Sequence, residues 1–154
     1  MLWLHLVAAI SWIGGMVFLS VVLAPLVRQR KAAPEFPALF RTAALRFRIV
    51  VWTAIAILLS TGPLLLAGRG YPLTDPTRWP AVLYVKLGLV GLLLLLTFSH
   101  DLLLGPLVSR STAIPECARS SWERALVQSA RWVPRLSLLI ALAVVVAAVE
   151  LARL

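Results

Sequence analysis

The sequence predicts an all-α integral membrane protein, a bundle of four transmembrane helices arranged as two hairpins joined through basic amphipathic cytoplasmic connections. Three observations predict it. Of the 154 residues, 61% are hydrophobic and only 14% charged, against about 45–50% and about 25% in a soluble domain. Mean hydropathy is +0.95. Four apolar stretches, separated by basic segments, approach or exceed the roughly 20 residues that a bilayer crossing needs. A soluble chain of this length could not hide so much apolar surface. The composition therefore excludes an ordinary cytosolic enzyme, a disordered chain and a free nucleic-acid-binding domain.

One membrane domain is expected over residues 1–154, with spans at approximately 2–27, 49–67, 81–108 and 136–151. The first span is expected to be a retained membrane span and not a cleavable signal peptide. It lacks a basic leading region, its apolar run is too long, and Pro25 followed by Arg28, Arg30 and Lys31 reads as a stop-transfer end. In the second span, Ser60-Thr61-Gly62-Pro63 is expected to bend the helix and loosen its backbone bonds. On the first helix, Ala8, Ser11 and Gly15 form a small-residue face suited to close helix approach, and Trp12 lies two turns below His5.

Lys and Arg total 15 against 6 acids, a net charge of +9. The excess falls between apolar runs, where the positive-inside rule accounts for it without nucleic acid. The first connection holds Arg28, Arg30, Lys31, Arg41, Arg46 and Arg48, and the third holds Arg110, Arg119, Arg124, Arg131 and Arg135. The middle connection holds only Arg69 and Arg78, with Asp75. Connections one and three are therefore expected in the cytoplasm and both termini in the periplasm, in a multi-pass protein of the inner (plasma) membrane. Phe36, Phe40, Ala43 and Phe47 recur at helical spacing, as do Trp122, Leu126, Ala130 and Val133, and Ser120 with Glu123 forms a capping box. These stretches read either as basic amphipathic helices on the inner leaflet or as cytoplasmic prolongations of the neighbouring spans.

A short internal repeat accompanies this pattern. The first span ends Ala24-Pro25-Leu26-Val27-Arg28 and the third Gly105-Pro106-Leu107-Val108-Ser109-Arg110. Superposing the two prolines places His5 on Lys86, which describes a parallel repeat of two similar halves.

Ionisable groups within spans are costly and mark partners or sites. His5, Lys86 and Glu150 all fall near the outer ends of their spans, so they are expected to share one outer-leaflet cavity. The bland alternative is an ion pair between Lys86 and Glu150 and a snorkelling histidine. His5 suits a neutral nitrogen ligand or proton carrier. Met1, one helical turn earlier, adds a thioether, and that donor pair suits copper. Lys86 and Glu150 suit local charge setting or a proton relay. His100 and Asp101 offer either a second, inner site or a structural helix interface, with Arg46, Arg48 or Arg135 as the candidate partner of Asp101. His100 lies roughly 21 Å deeper than Lys86 by helical rise, so it cannot share one metal with His5. The lone Cys117 cannot form an intrachain disulfide, and GxGxxG, P-loop, HExxH and CxxC motifs are absent, so no catalytic set emerges.

The residues His5-Leu6-Val7, Trp12-Ile13-Gly14-Gly15, Thr61-Gly62, Lys86-Leu87 and Pro106 resemble the pattern of the copper resistance protein D (CopD) domain family. The resemblance covers most of the chain through short, apolar motifs. It implies a stand-alone four-helix domain, about half the span number of longer members, that handles copper at the inner membrane, often with a periplasmic copper-binding partner. A more distant resemblance is to HemJ-type protoporphyrinogen oxidases, which carry a first-span histidine, a third-span lysine and haem b. On that resemblance His5 is an axial ligand and Lys86 lies near a propionate. A third reading is a non-catalytic subunit whose small-residue faces dock in a membrane complex, as a homo- or hetero-oligomer.

Overall fold

The computed structural model describes residues 1–28, 36–71, 73–105, 107–108 and 120–153. The described residues are almost entirely helical. In chain order they form α1 (Leu2–Val17), a π-helical turn (Phe18–Leu23), α2 (Ala24–Arg28), α3 (Phe36–Gly68), a 3₁₀ turn (Pro76–Arg78), α4 (Ala81–Phe98), a second π-helical turn (Ser99–Leu104) and α5 (Ser121–Arg153). Four helical stretches are long and apolar enough to cross a membrane: Leu2–Leu26, Arg41–Gly68, Ala81–Leu104 and Ser121–Arg153. Many of their large apolar residues lie open at the surface, among them Ile10, Ile49, Leu95 and Val146. In water that exposure is unfavourable, and in a bilayer lipid tails cover it.

At two places helix precedes the expected span without a break. The expected spans start at residues 49 and 136, whereas α3 begins at Phe36 and α5 at Ser121. Each basic stretch is continuous with the span after it, so the prolongation alternative describes the backbone. At about 1.5 Å per residue each 33-residue helix is about 50 Å long, well beyond the roughly 30 Å of hydrocarbon. The start of α5 is fixed by the capping box: the Ser120 amide donates to Glu123 Oε2 at 2.7 Å and the Glu123 amide to Ser120 Oγ at 3.3 Å.

Prolines shape the helices without ending them. α3 runs unbroken through Pro63 and α5 through Pro134. Just before Pro63, the Ser60 and Thr61 hydroxyls donate to the carbonyls of Ala56 and Ile57. The two π turns share a position relative to proline. The first closes on Ala24, whose amide bonds Leu19, and Pro25 follows. The second closes on Gly105, whose amide bonds His100, and Pro106 follows in sequence, outside the described residues. A proline ring crowds the carbonyl four residues back and offers it no N–H. A wider turn upstream moves that carbonyl aside. Superposing Pro25 on Pro106 also superposes the two π turns, which extends the sequence repeat into local backbone structure.

The chain divides into two compact units, Met1–Trp79 and Pro80–Leu154. In the first, α1 packs on α3 in opposite directions, His5 meeting Thr61 and Gly15 meeting Phe47. The seam on α1 consists of His5, Ala8, Trp12 and Gly15, opposite Val51, Ala54, Ile55 and Thr61. The expected small-residue face is corrected in one member: Ser11 is exposed, because buried Trp12 takes the seam. In the second unit α4 packs on α5, whose buried residues Ser137, Ile140, Ala141, Ala147 and Leu151 stand at i, i+3, i+4, i+10 and i+14, along one face of the helix.

Candidate functional site

The strongest polar arrangement within a span lies in the first unit. His5, one turn into α1, is half-buried. Its Nδ1 lies 2.7 Å from Thr61 Oγ1 on α3. Thr61 is 3% exposed, and its hydroxyl donates to the Ile57 carbonyl at 2.6 Å. A threonine hydroxyl has one proton, and here that proton is committed to the backbone. Thr61 Oγ1 therefore accepts, and His5 Nδ1 carries the donated hydrogen. In the neutral ring this assigns the lone pair to Nε2.

The surroundings hold the ring in place. A Cβ built on Gly62 would lie 3.9 Å from His5 Cε1, an ordinary contact distance. Gly62 thus lies beside the imidazole edge without being sterically required there. Nearly three turns further along α1, Gly15 meets the Phe47 ring so closely that any side chain would overlap it. That close approach sets the separation of α1 and α3. Gly14, its neighbour, faces open space. Of the glycine pair in the Trp12-Ile13-Gly14-Gly15 motif, only Gly15 has a packing role in the described unit.

Met1 caps α1 from the turn before, and its carbonyl accepts the His5 amide at 3.1 Å. The residue is 73% exposed, so its thioether is open to the surroundings. An imidazole oriented through Nδ1 and a thioether one turn away fit a soft metal ion by donor chemistry. A single oriented imidazole could also hold the iron of a haem, which would supply redox chemistry. Among the described residues no three His, Cys, Asp or Glu side chains gather as a metal cluster.

In the second unit, Lys86 is half-buried on α4. Glu150 is exposed near the end of α5, where Arg153 Nη1 approaches its Oε1 at 3.2 Å. Glu150 also stands at the rim of an open apolar groove of about 520 Å³, lined by Ala81, Val82, Val85 and Leu89 of α4 and Ala143, Val146 and Ala147 of α5. His100 and Asp101 both lie in the second π turn, with Nδ1 and Oδ1 3.4 Å apart. That distance describes a loose pair of adjacent residues.

The sequence pointed to His5 and to Thr61-Gly62 separately. It did not indicate that Thr61 is the partner of His5, because the two are 56 residues apart and only helix pairing joins them. The signal was the presence of both in one motif pattern. No family model matches the chain, and neither a curated protein nor a solved structure is detectably similar to it.

Proposed function

We propose that this chain is a copper-handling protein of the bacterial inner membrane, of CopD type, with His5 Nε2 as its metal ligand and Met1 as a second donor. The observation that supports this reading is the hydrogen bond from His5 Nδ1 to Thr61. Metal-binding histidines characteristically donate their other ring nitrogen to a fixed acceptor, which selects the tautomer and the ring orientation. Lys86 and Glu150 are assigned local charge setting and proton relay, and His100 with Asp101 a secondary inner site. The basic residues on the connections favour an arrangement of two hairpins with both termini in the periplasm. A periplasmic copper-binding protein is the partner that this reading implies.

The second reading is a haem-b membrane redox protein or oxidase, with His5 as axial ligand. The same hydrogen bond favours it, since axial histidines also use an outer partner on the opposite nitrogen. Substitution separates the two. His5→Ala removes the ligand under either reading. Lys86→Met removes a cation, which repels a copper ion but attracts a haem propionate. Under the copper reading Lys86→Met retains wild-type copper content or raises it. Under the haem reading it lowers haem retention, as His5→Ala does. Copper and haem contents of the purified variants decide between them. If His5→Ala keeps wild-type copper and haem contents, His5 is not a ligand and both readings fail.

A further inference from the structure

We propose that Trp132 and Arg135 of α5 form a headgroup site for an anionic phospholipid, separate from the His5 arrangement. The Arg135 guanidinium lies over the Trp132 ring, 5.0 Å from its centroid. That distance is within cation–π range. A guanidinium held over a ring carries more N–H donors than the ring can engage, and a pair of them can take a planar or tetrahedral oxyanion bidentately. Arg135 is exposed and Trp132 is 60% exposed, so the pair is presented outward.

Its place in the sequence fits a headgroup. Arg135 is the last charged residue before the apolar run that begins at Leu136 and reaches Val149. That is the boundary where tryptophan rings prefer to sit, apolar body in and N–H out. Below the pair, Leu136 and Leu139 are 50% and 64% exposed. Trp132, Leu136, Leu139 and Ala143 recur at i, i+4, i+7 and i+11, one stripe along the helix. From Trp132 to Ala143 the stripe is about 16 Å long by helical rise, close to the depth of one leaflet, half of about 30 Å. A phosphate on the arginine and an acyl chain along the leucines therefore fit one lipid molecule. The requirement for a phosphate-bearing headgroup without a compensating cation follows from the arginine, since a zwitterionic choline brings its own positive charge.

The test uses the full chain, delipidated in neutral detergent, with native mass spectrometry after addition of phosphatidylglycerol and phosphatidylcholine with identical acyl chains. The wild type is expected to take up phosphatidylglycerol preferentially. Arg135→Gln is expected to lower that preference about fivefold, the effect of one arginine charge near anionic lipid. Arg135→Lys, which keeps the charge but not the fork, and Trp132→Leu, which removes the stack, should fall between. Unchanged helical circular dichroism verifies that the variants are folded, and Arg135→Lys provides the reading should Arg135→Gln not fold. Equal uptake of the two lipids by the wild type would overturn the proposal. So would a wild-type preference retained in Arg135→Gln, or in Arg135→Lys and Trp132→Leu where that variant does not fold.

Discussion

Thr61 has one hydroxyl proton, and its commitment to the Ile57 carbonyl is what fixes the His5 tautomer. Thr61→Val keeps the shape and removes the acceptor. It is expected to cost about 1 kcal/mol of stability and to weaken metal or haem binding about 10- to 100-fold. Thr61→Ser retains the oxygen and should stay near wild type. Equilibrium metal binding of the three proteins checks this, and equal affinities would remove the positioning role. Glycine provides a second residue-scale contrast. Gly15→Leu places a side chain in the Phe47 ring and should destabilise the α1–α3 packing by about 1–3 kcal/mol. Gly14→Ala meets nothing within 4 Å and should stabilise the helix by about 0.5–1 kcal/mol. Thermal unfolding in detergent distinguishes them, and Phe47→Leu should relieve part of the Gly15 penalty. The helical spacing from Ala8 already placed Gly15 rather than Gly14 on the packing face, but Phe47 as its neighbour was not legible, because only helix pairing brings the two together.

At the scale of the element, the helices were legible where membrane physics is local and illegible where it is not. Apolar length alone identified four spans. It placed the starts of the second and fourth at the first uninterrupted apolar residues, because the length criterion counts only what hydrocarbon requires. The backbone has no reason to stop there, since the i, i+3 and i+4 pattern continues outward through Leu126, which is buried. The capping box was legible because it is a four-residue pattern with its own hydrogen bonds. Ser120→Ala should therefore fray the first turn of α5 and cost about 0.5–2 kcal/mol, seen as faster amide exchange confined to that turn. Protection equal to wild type would show that packing, not the cap, fixes the start. The π turns left no mark in composition beyond the proline after each, and only the backbone reveals that the repeat extends to them.

For the whole molecule, the short proline-centred match is the sequence basis for expecting a repeat, and the structure divides into two compact units at Trp79 and Pro80. The pattern of basic connections predicts that a periplasm-active reporter fused after Leu154 works and a cytoplasm-active one does not. The opposite result would invert the proposed orientation. What composition could not supply is the chemistry of His5, since a histidine in an apolar helix looks the same whether it is packed, paired or ligating. The proposed function requires that residue to be a metal ligand held by Thr61. The most direct measurement is the visible spectrum of the detergent-purified protein, with metal analysis of the same sample and of His5→Ala. Stoichiometric copper without a Soret band, lost in His5→Ala, is the expected result. A Soret band lost in the variant selects the haem reading in its place. A wild-type protein with neither copper nor haem, or a metal content unchanged in His5→Ala, would contradict it.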